Sequence, residues 1–298
     1  MKRYLKFILL LLLVSFGVKV SAQDLLDAFG KDSAKTNYTY ATFKTTRIVD
    51  GHSVENEAPG VLLFMISHHF GAINSGSYNF FGMDQSTIRL GLEYGITDRF
   101  CVGVGRSSYE KTFDGFLKYK LLKQSSGYRT MPVTVTLLTS MAVNSLKWQD
   151  PTRENFFSSR LSYNYQVLIA RKFSNNLSLQ LSPTMIHKNL VSGANDANDF
   201  YAMGFGGRYK LTQRMSVNGE YYALLNQPKS GTLDNSLSFG IDIETGGHVF
   251  QLFLTNSQPM FERGFITETK GKWSNGNIFF GFNISRVFTI KKPKTLRY

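Results

Sequence analysis

In the stretch NNLSLQLSPTMI, from Asn175 to Ile186, apolar and polar residues alternate almost without interruption. Leu177, Leu179 and Leu181 fall on one face of a strand, while the serines and the glutamine between them fall on the other. A strand of this kind separates an apolar surrounding from a polar one. The alternation leaves open whether the leucines meet a protein core or lipid.

The same period of two returns along the chain and predicts an all-β protein. STIRLGLEYG (86–95), SYNYQVLIA (162–170), SLSFGIDIE (236–244) and IFFGFNISRVF (278–288) each set apolar residues against polar ones. Twelve strands are predicted, near residues 60–70, 86–97, 99–107, 113–123, 130–143, 158–173, 176–187, 199–212, 214–225, 235–245, 247–255 and 276–288.

The lengths of the connections favour a membrane barrel over a soluble sandwich. Every second connection is short, as at Thr97-Asp98, Ser174-Asn175 and Gly246, and the intervening ones are longer and polar. An even number of strands with short turns on one rim and long loops on the other is typical of outer-membrane barrels. The fold class is therefore predicted to be an antiparallel transmembrane β-barrel of 12 strands, with the leucines of the opening stretch facing lipid.

The N-terminus has the features of a secretory signal. Residues 1–22 combine a basic start, an apolar run and a small-residue exit at Val20-Ser21-Ala22. Export in this way predicts location in the outer membrane of a Gram-negative bacterium. The predicted organisation is a signal peptide (1–22), a periplasmic N-terminal segment (23–59), the barrel (60–290) and a basic C-terminal tail (291–298). The N-terminal segment is mildly acidic, so we expect it either to fold against the basic rim or to plug the pore.

Two stretches carry a resemblance to a known family. They are TFKTTRIVDGHSVEN (42–56) and FGMDQSTIRLGLEYGITDRFCVGVGRSSYEKTFDGFLKYKLL (81–122). With the strand pattern behind them, they resemble a family of membrane-bound β-barrel proteins from Bacteroidota, catalogued as a domain of unknown function. The resemblance implies a membrane barrel over nearly the whole exported chain, and it supplies no catalytic or ligand-binding residues.

Charged residues on the polar faces of the strands are expected to line the lumen: Arg89, Glu93, Lys118, Lys120, Arg208, Lys210, Glu220, Asp242 and Glu244. One interpretation is an ion-pair network that braces the wall, because buried charges persist only when paired or hydrated. The other is a water-filled path whose charges tune ion passage. Barrels near 8 strands are filled and those of 16 or more are open, so a strand number of 12 does not decide between them.

The chain has a formal net charge of +13, and many of the basic residues that follow the signal lie near the predicted periplasmic rim. Basic residues expected there are Arg99, Lys123, Arg129, Arg171, Lys172 and Arg214. The simplest explanation is attraction to the phosphates of outer-membrane lipid, with long side chains reaching the headgroups. A funnel for anions and a dock for an acidic protein are alternatives.

Signals for catalysis, metals and cofactors are weak. Ser67 and His69 share a strand face in an S-x-H pair, reversed from the His and Ser of outer-membrane phospholipase A, so we assign no catalytic residue and expect no enzyme. His68 and His69 point to opposite faces and cannot chelate together. With one cysteine, Cys101, and no Cys/His cluster, neither a metal nor a cofactor is predicted. The basic charge comes without a nucleic-acid-binding motif.

The function predicted from the sequence is a narrow passive channel or transport-related pore for small solutes. The alternative is a closed structural or docking barrel that binds a periplasmic or surface protein through its loops or basic rim. A lipid-active outer-membrane enzyme is the third candidate.

Overall fold

The computed structural model describes residues 35–148, 150–191, 193 and 195–291. The predicted signal peptide and nearly all of the predicted C-terminal tail lie outside these residues. Fourteen strands are present in the described chain: β1 (Thr36–Tyr38), β2 (Val61–Ala72), β3 (Ser86–Gly95), β4 (Phe100–Ser107), β5 (Phe113–Leu122), β6 (Ser125–Gly127), β7 (Thr134–Val143), β8 (Leu161–Lys172), β9 (Leu177–Lys188), β10 (Asp199–Lys210), β11 (Met215–Leu224), β12 (Ser236–Thr245), β13 (His248–Thr255) and β14 (Phe279–Thr289).

Twelve of these strands close into one antiparallel barrel, which confirms the predicted fold class. Consecutive barrel strands pair with each other, and β14 pairs with β2 to close the ring. The remaining two, β1 and β6, form a separate two-stranded sheet. The connection between β5 and β7 therefore contains a strand of its own, β6, which pairs with the N-terminal strand β1.

The alternation of the opening stretch separates the outside of the barrel from its interior. Leu179 and Leu181 are 44% and 45% exposed, whereas the intervening Gln180 is 2% exposed. On β3, Leu90 and Leu92 face outward in the same way, and Arg89 faces inward. The apolar face of each strand is thus the outer surface of the barrel.

Most connections at one rim are short, and most of those at the other are long. The short turns cover residues 96–99, 173–176, 211–214 and 246–247, and the long loops include residues 73–85, 144–160, 225–235 and 256–278. The loops contain the helix α1 (Glu262–Thr267) and the 3-10 turns Ile73–Ser75, Ser77–Gly82, Tyr109–Lys111, Phe157–Arg160 and Trp273–Asn275. Within the described residues, no helix has the length and apolar character needed to span a bilayer.

Two segments that are not barrel strands occupy the interior. Residues 42–54, which we term the internal segment, enter from the short-turn rim, and residues 256–269, the inward loop, enter from the long-loop rim. Nearly every residue of both is buried. Phe43, Ile48 and Val54 join one apolar cluster with the wall, and Phe265 and Ile266 of α1 join a second.

Candidate functional site

The internal segment makes a tight turn deep in the barrel. Ile48 N–H donates to the carbonyl of Gly51 at 2.8 Å, and Ser53 N–H donates to the carbonyl of Thr46 at 2.9 Å. A Cβ atom on Gly51 would lie 2.4 Å from the hydroxyl of Tyr222 and 2.9 Å from a carboxylate oxygen of Glu220. A side chain at residue 51 would therefore force the turn, Tyr222 or Glu220 to move.

Side chains of the wall hydrogen-bond to the backbone of this segment. Gln251, Asn283, Gln180 and Thr136 donate to the carbonyls of Ile48, Val49, His52 and Val54 at 3.1, 3.0, 2.7 and 3.4 Å, and Lys118 donates to that of Glu55. Glu220 accepts the N–H groups of Val49, Asp50 and Gly51 at 3.4, 3.3 and 3.0 Å. Six strands thus contribute to one set of contacts with the segment.

Charged side chains connect the internal segment to the inward loop and to the wall. Arg47 Nη1 lies 3.2 Å from Glu262 Oε1, and Arg47 Nε lies 3.7 Å from Glu93 Oε1. His52 Nε2 lies 3.3 Å from the same oxygen of Glu262. These four residues, together with Asp50 and His69, form what we call the central cluster.

The second half of the central cluster involves His69 on β2. Its Nε2 lies 3.2 Å from Asp50 Oδ1, and its Nδ1 lies 3.0 Å from the carbonyl of Ser257. No hydrogen bond joins Ser67 to His69 among the described residues. Asn277, which the sequence placed on the last strand, precedes β14 and hydrogen-bonds to Asn74. Gly276, with φ 69°, ends the 3-10 turn there, so the last strand begins at Phe279 rather than near residue 276.

The structure places the nine predicted lumen charges at two depths. Arg89, Glu93, Lys118, Arg208, Glu220 and Asp242 are buried inside the barrel. Lys120, Lys210 and Glu244 lie near the short-turn rim and retain partial exposure. Lys120 lies 3.9 Å from Glu55, the residue that follows the internal segment. Glu244 pairs with Lys44, which belongs to the internal segment.

Among the described residues, fewer ion pairs join two wall residues than join the wall to the internal segment or the inward loop. Arg89 donates to Asp114 through Nε at 2.9 Å and Nη2 at 2.5 Å. Gly91 and Gly105 leave room for this guanidinium, since added Cβ atoms would lie 2.8 and 2.3 Å from it. Asp114 was missed, although its inward position in FDGFLKYK follows from the alternation. No periodic pattern in the sequence could have identified Arg47, Asp50 and Glu262, because they lie outside the strands.

The six predicted rim residues all lie at the short-turn end. Arg99, Arg129, Arg171 and Arg214 are exposed, and Lys123 and Lys172 are half-buried. Lys123 lies over the ring of Tyr38 at 5.8 Å, and Lys172 donates to the carbonyl of Tyr40 at 3.0 Å. Part of the basic rim therefore contacts the chain as it enters the barrel.

Glu57 lies between the internal segment and the first barrel strand. Burial, together with the nearby carboxylate of Glu93, raises the pKa of Glu57 to about 7. No group of three or more His, Cys, Asp or Glu side chains with metal-binding geometry occurs in the described part of the chain.

A family model described as a membrane bound beta barrel domain (DUF5777) matches residues 43–288. The chain belongs to this family. The matched range takes in nearly all of the internal segment as well as the twelve barrel strands. A comparison with curated protein sequences finds no match.

Solved structures of porins and outer-membrane channels have similar folds. The NanC porin is 8% identical, with 76% of this chain and 98% of that chain covered and a TM-score of 0.47. The KdgM porin in complex with disordered oligogalacturonate is 8% identical, with 78% and 99% covered and a TM-score of 0.46. An outer membrane channel from Pseudomonas putida F1 is 14% identical, with 78% and 97% covered and a TM-score of 0.46.

Proposed function

We propose that this protein is an outer-membrane channel for small polar solutes, closed in this conformation by the internal segment and the inward loop. The observation that carries the proposal is the chemistry of the wall. Its inward face is rich in serine, threonine, asparagine, glutamine and charged residues, and it holds the internal segment through side-chain hydrogen bonds and ion pairs. Such contacts are exchangeable, because water can replace each of them when a segment leaves.

Unpaired polar groups on the wall support the same proposal. Both polar atoms of the buried Gln166 side chain, and Oδ1 of Asn164 and Asn218, have no protein partner. A buried polar group without a partner destabilises the folded protein by about 1–3 kcal/mol, so apolar residues would be favoured in a wall that is always packed. In an open state, water would hydrogen-bond to these polar side chains.

Location and origin are part of the proposal. The N-terminal signal features of residues 1–22 support export to the outer membrane, with the internal segment entering the barrel from the periplasmic side. The resemblance of residues 42–56 and 81–122 to a family from Bacteroidota supports an origin in that group. The basic rim residues would contact inner-leaflet lipid or draw anions towards the lumen.

The test is conductance of the purified, refolded protein in a planar bilayer, compared with a variant that lacks residues 23–56. We expect the full-length protein to be mostly closed with brief openings, and the deletion variant to conduct in larger and steadier steps. Heat-modifiable gel mobility reports whether each barrel is folded. Equal conductance of the two proteins would show that the internal segment is not the plug.

A closed docking barrel is the second candidate, favoured by the contact between the two lumen-filling segments through Glu262. Folded protein that remains silent with and without residues 23–56 would select it.

In a conducting protein, the reversal potential under a salt gradient tests the basic rim, which we expect to select anions.

A further inference from the structure

The wall makes many of its contacts with the internal segment through the peptide backbone. Gln180, Gln251, Asn283, Thr136 and Lys118, from five different strands, direct their donors at main-chain carbonyls. Glu220, from a sixth strand, accepts main-chain N–H groups. Backbone carbonyls and amides are common to every peptide, so these contacts do not depend on which side chains the bound segment carries.

The wall offers donors where the peptide backbone has carbonyls and an acceptor where it has N–H groups. The five donors reach the carbonyls of residues 48, 49, 52, 54 and 55, and the one carboxylate spans three consecutive N–H groups at residues 49–51. The lumen already accommodates two passes of main chain side by side, joined at the turn by the contacts between Thr46 and Ser53. An extended single peptide is narrower than this hairpin.

The side chains of the internal segment make a second set of contacts. Phe43, Ile48, Val49 and Val54 pack in an apolar cluster with the wall, and Lys44, Arg47, Asp50 and His52 pair with Glu244, Glu93, Glu262 and His69. These contacts fix this particular segment in place, while the backbone contacts on either side of them would serve any peptide.

We propose that the wall residues that bond to the internal segment form a peptide-binding surface and that short peptides are solutes of this channel, taking the positions that the internal segment holds in the closed state. This inference rests on the proposed channel function and adds a substrate class to it. The internal segment then acts as a tethered competitor for the solute site.

The experiment measures block of the open full-length channel in planar bilayers. The probe is an uncharged octapeptide of alternating serine and alanine, acetylated and amidated at its ends, and the comparison solute is an uncharged oligosaccharide of similar mass. We expect the peptide to interrupt the current for longer than the oligosaccharide. Residence time is read only from open channels, so it does not depend on how often the segment leaves.

A matched pair of wall variants assigns the block to the contacts described. Gln180→Leu combined with Asn283→Leu removes two donors to the backbone, and we expect the residence time of the peptide to fall ~10-fold, the effect of two ordinary hydrogen bonds. Gln166→Leu makes the same kind of change at an inward position that bonds to no part of the segment, and it should leave the residence time unchanged.

A second measurement leaves the wall intact. Ser53→Cys places a thiol in the internal segment, where Ser53 is fully buried, in a protein whose only native cysteine, Cys101, is also buried. We expect the octapeptide to raise the rate of thiol labelling at residue 53 in a saturable manner, since it competes for the wall, and the oligosaccharide to have no such effect.

The outcomes separate the two proposals. A channel that conducts but is blocked equally by peptide and oligosaccharide, or whose peptide block is equally weakened by Gln166→Leu, overturns the peptide assignment and leaves the channel function standing. A folded protein that never conducts, with or without residues 23–56, overturns the channel function and the peptide assignment with it.

Discussion

The carboxylate of Glu262 lies 3.2 Å from the guanidinium of Arg47, and both side chains are at most 5% exposed. The two residues belong to segments that enter the barrel from opposite rims, so this ion pair connects the internal segment to the inward loop. His52 Nε2 adds a contact of 3.3 Å to the same carboxylate oxygen. Because the two segments share this contact, displacement of one is expected to loosen the other.

Glu262→Gln is expected to raise the open probability of the channel. The substitution keeps the size of the side chain but removes the charge, and loss of one partner from a buried ion pair costs about 3–5 kcal/mol. Single-channel recording in planar bilayers measures the effect. Glu154→Gln is the matched control, since Glu154 is exposed in the long loop 144–160. Identical open probabilities for the two variants would contradict a role of Glu262 in closure.

Gly51→Ala is expected to displace the turn of the internal segment. The added methyl group would lie 2.4 Å from Tyr222 Oη, a distance that forces the turn or the tyrosine to move. Limited proteolysis of the refolded protein should show faster cleavage within residues 42–54. Gly231→Ala is the control, because no atom lies within 4 Å of a Cβ there. Equal protection in both variants would mean that the turn accommodates the methyl group.

Asp114→Asn is expected to destabilise the barrel wall by about 3–5 kcal/mol, because it leaves the buried guanidinium of Arg89 without its charged partner. Urea unfolding of the refolded protein in detergent or lipid measures the change. Arg89→Leu combined with Asp114→Leu removes both charges and should recover most of the loss. A double variant as unstable as the single one would show that packing rather than charge explains the effect.

The raised pKa of Glu57 predicts that the free energy of unfolding decreases as the pH rises. Between about 4.5 and 7 the folded protein holds a proton on Glu57 that the unfolded chain has released. Its contribution to the free energy of unfolding therefore decreases as pH rises through this window and stays low above pH 7. Thermal unfolding across this range measures the trend, and Glu57→Gln should flatten it. An unchanged slope in the variant would assign the trend to other groups.

Much of the fold could be predicted because period-two alternation is a local property. The inward position of Arg89, Glu93 or Lys118 follows from counting along a strand whose neighbours are apolar. The same counting would have found Asp114. It could not find Arg47, Asp50 or Glu262, since these residues lie outside strands and their partners are distant in sequence.

A barrel of 12 strands with an apolar outer surface and a polar interior follows from local sequence, because the alternation of apolar and polar residues within a strand specifies both of its faces. What fills that interior became apparent only from the three-dimensional structure. Residue 47 meets residue 262, residue 50 meets residue 69, and residue 51 meets residue 220. Contacts of this range arise after the barrel has closed and brought its two rims together around one lumen, and no local pattern specifies them.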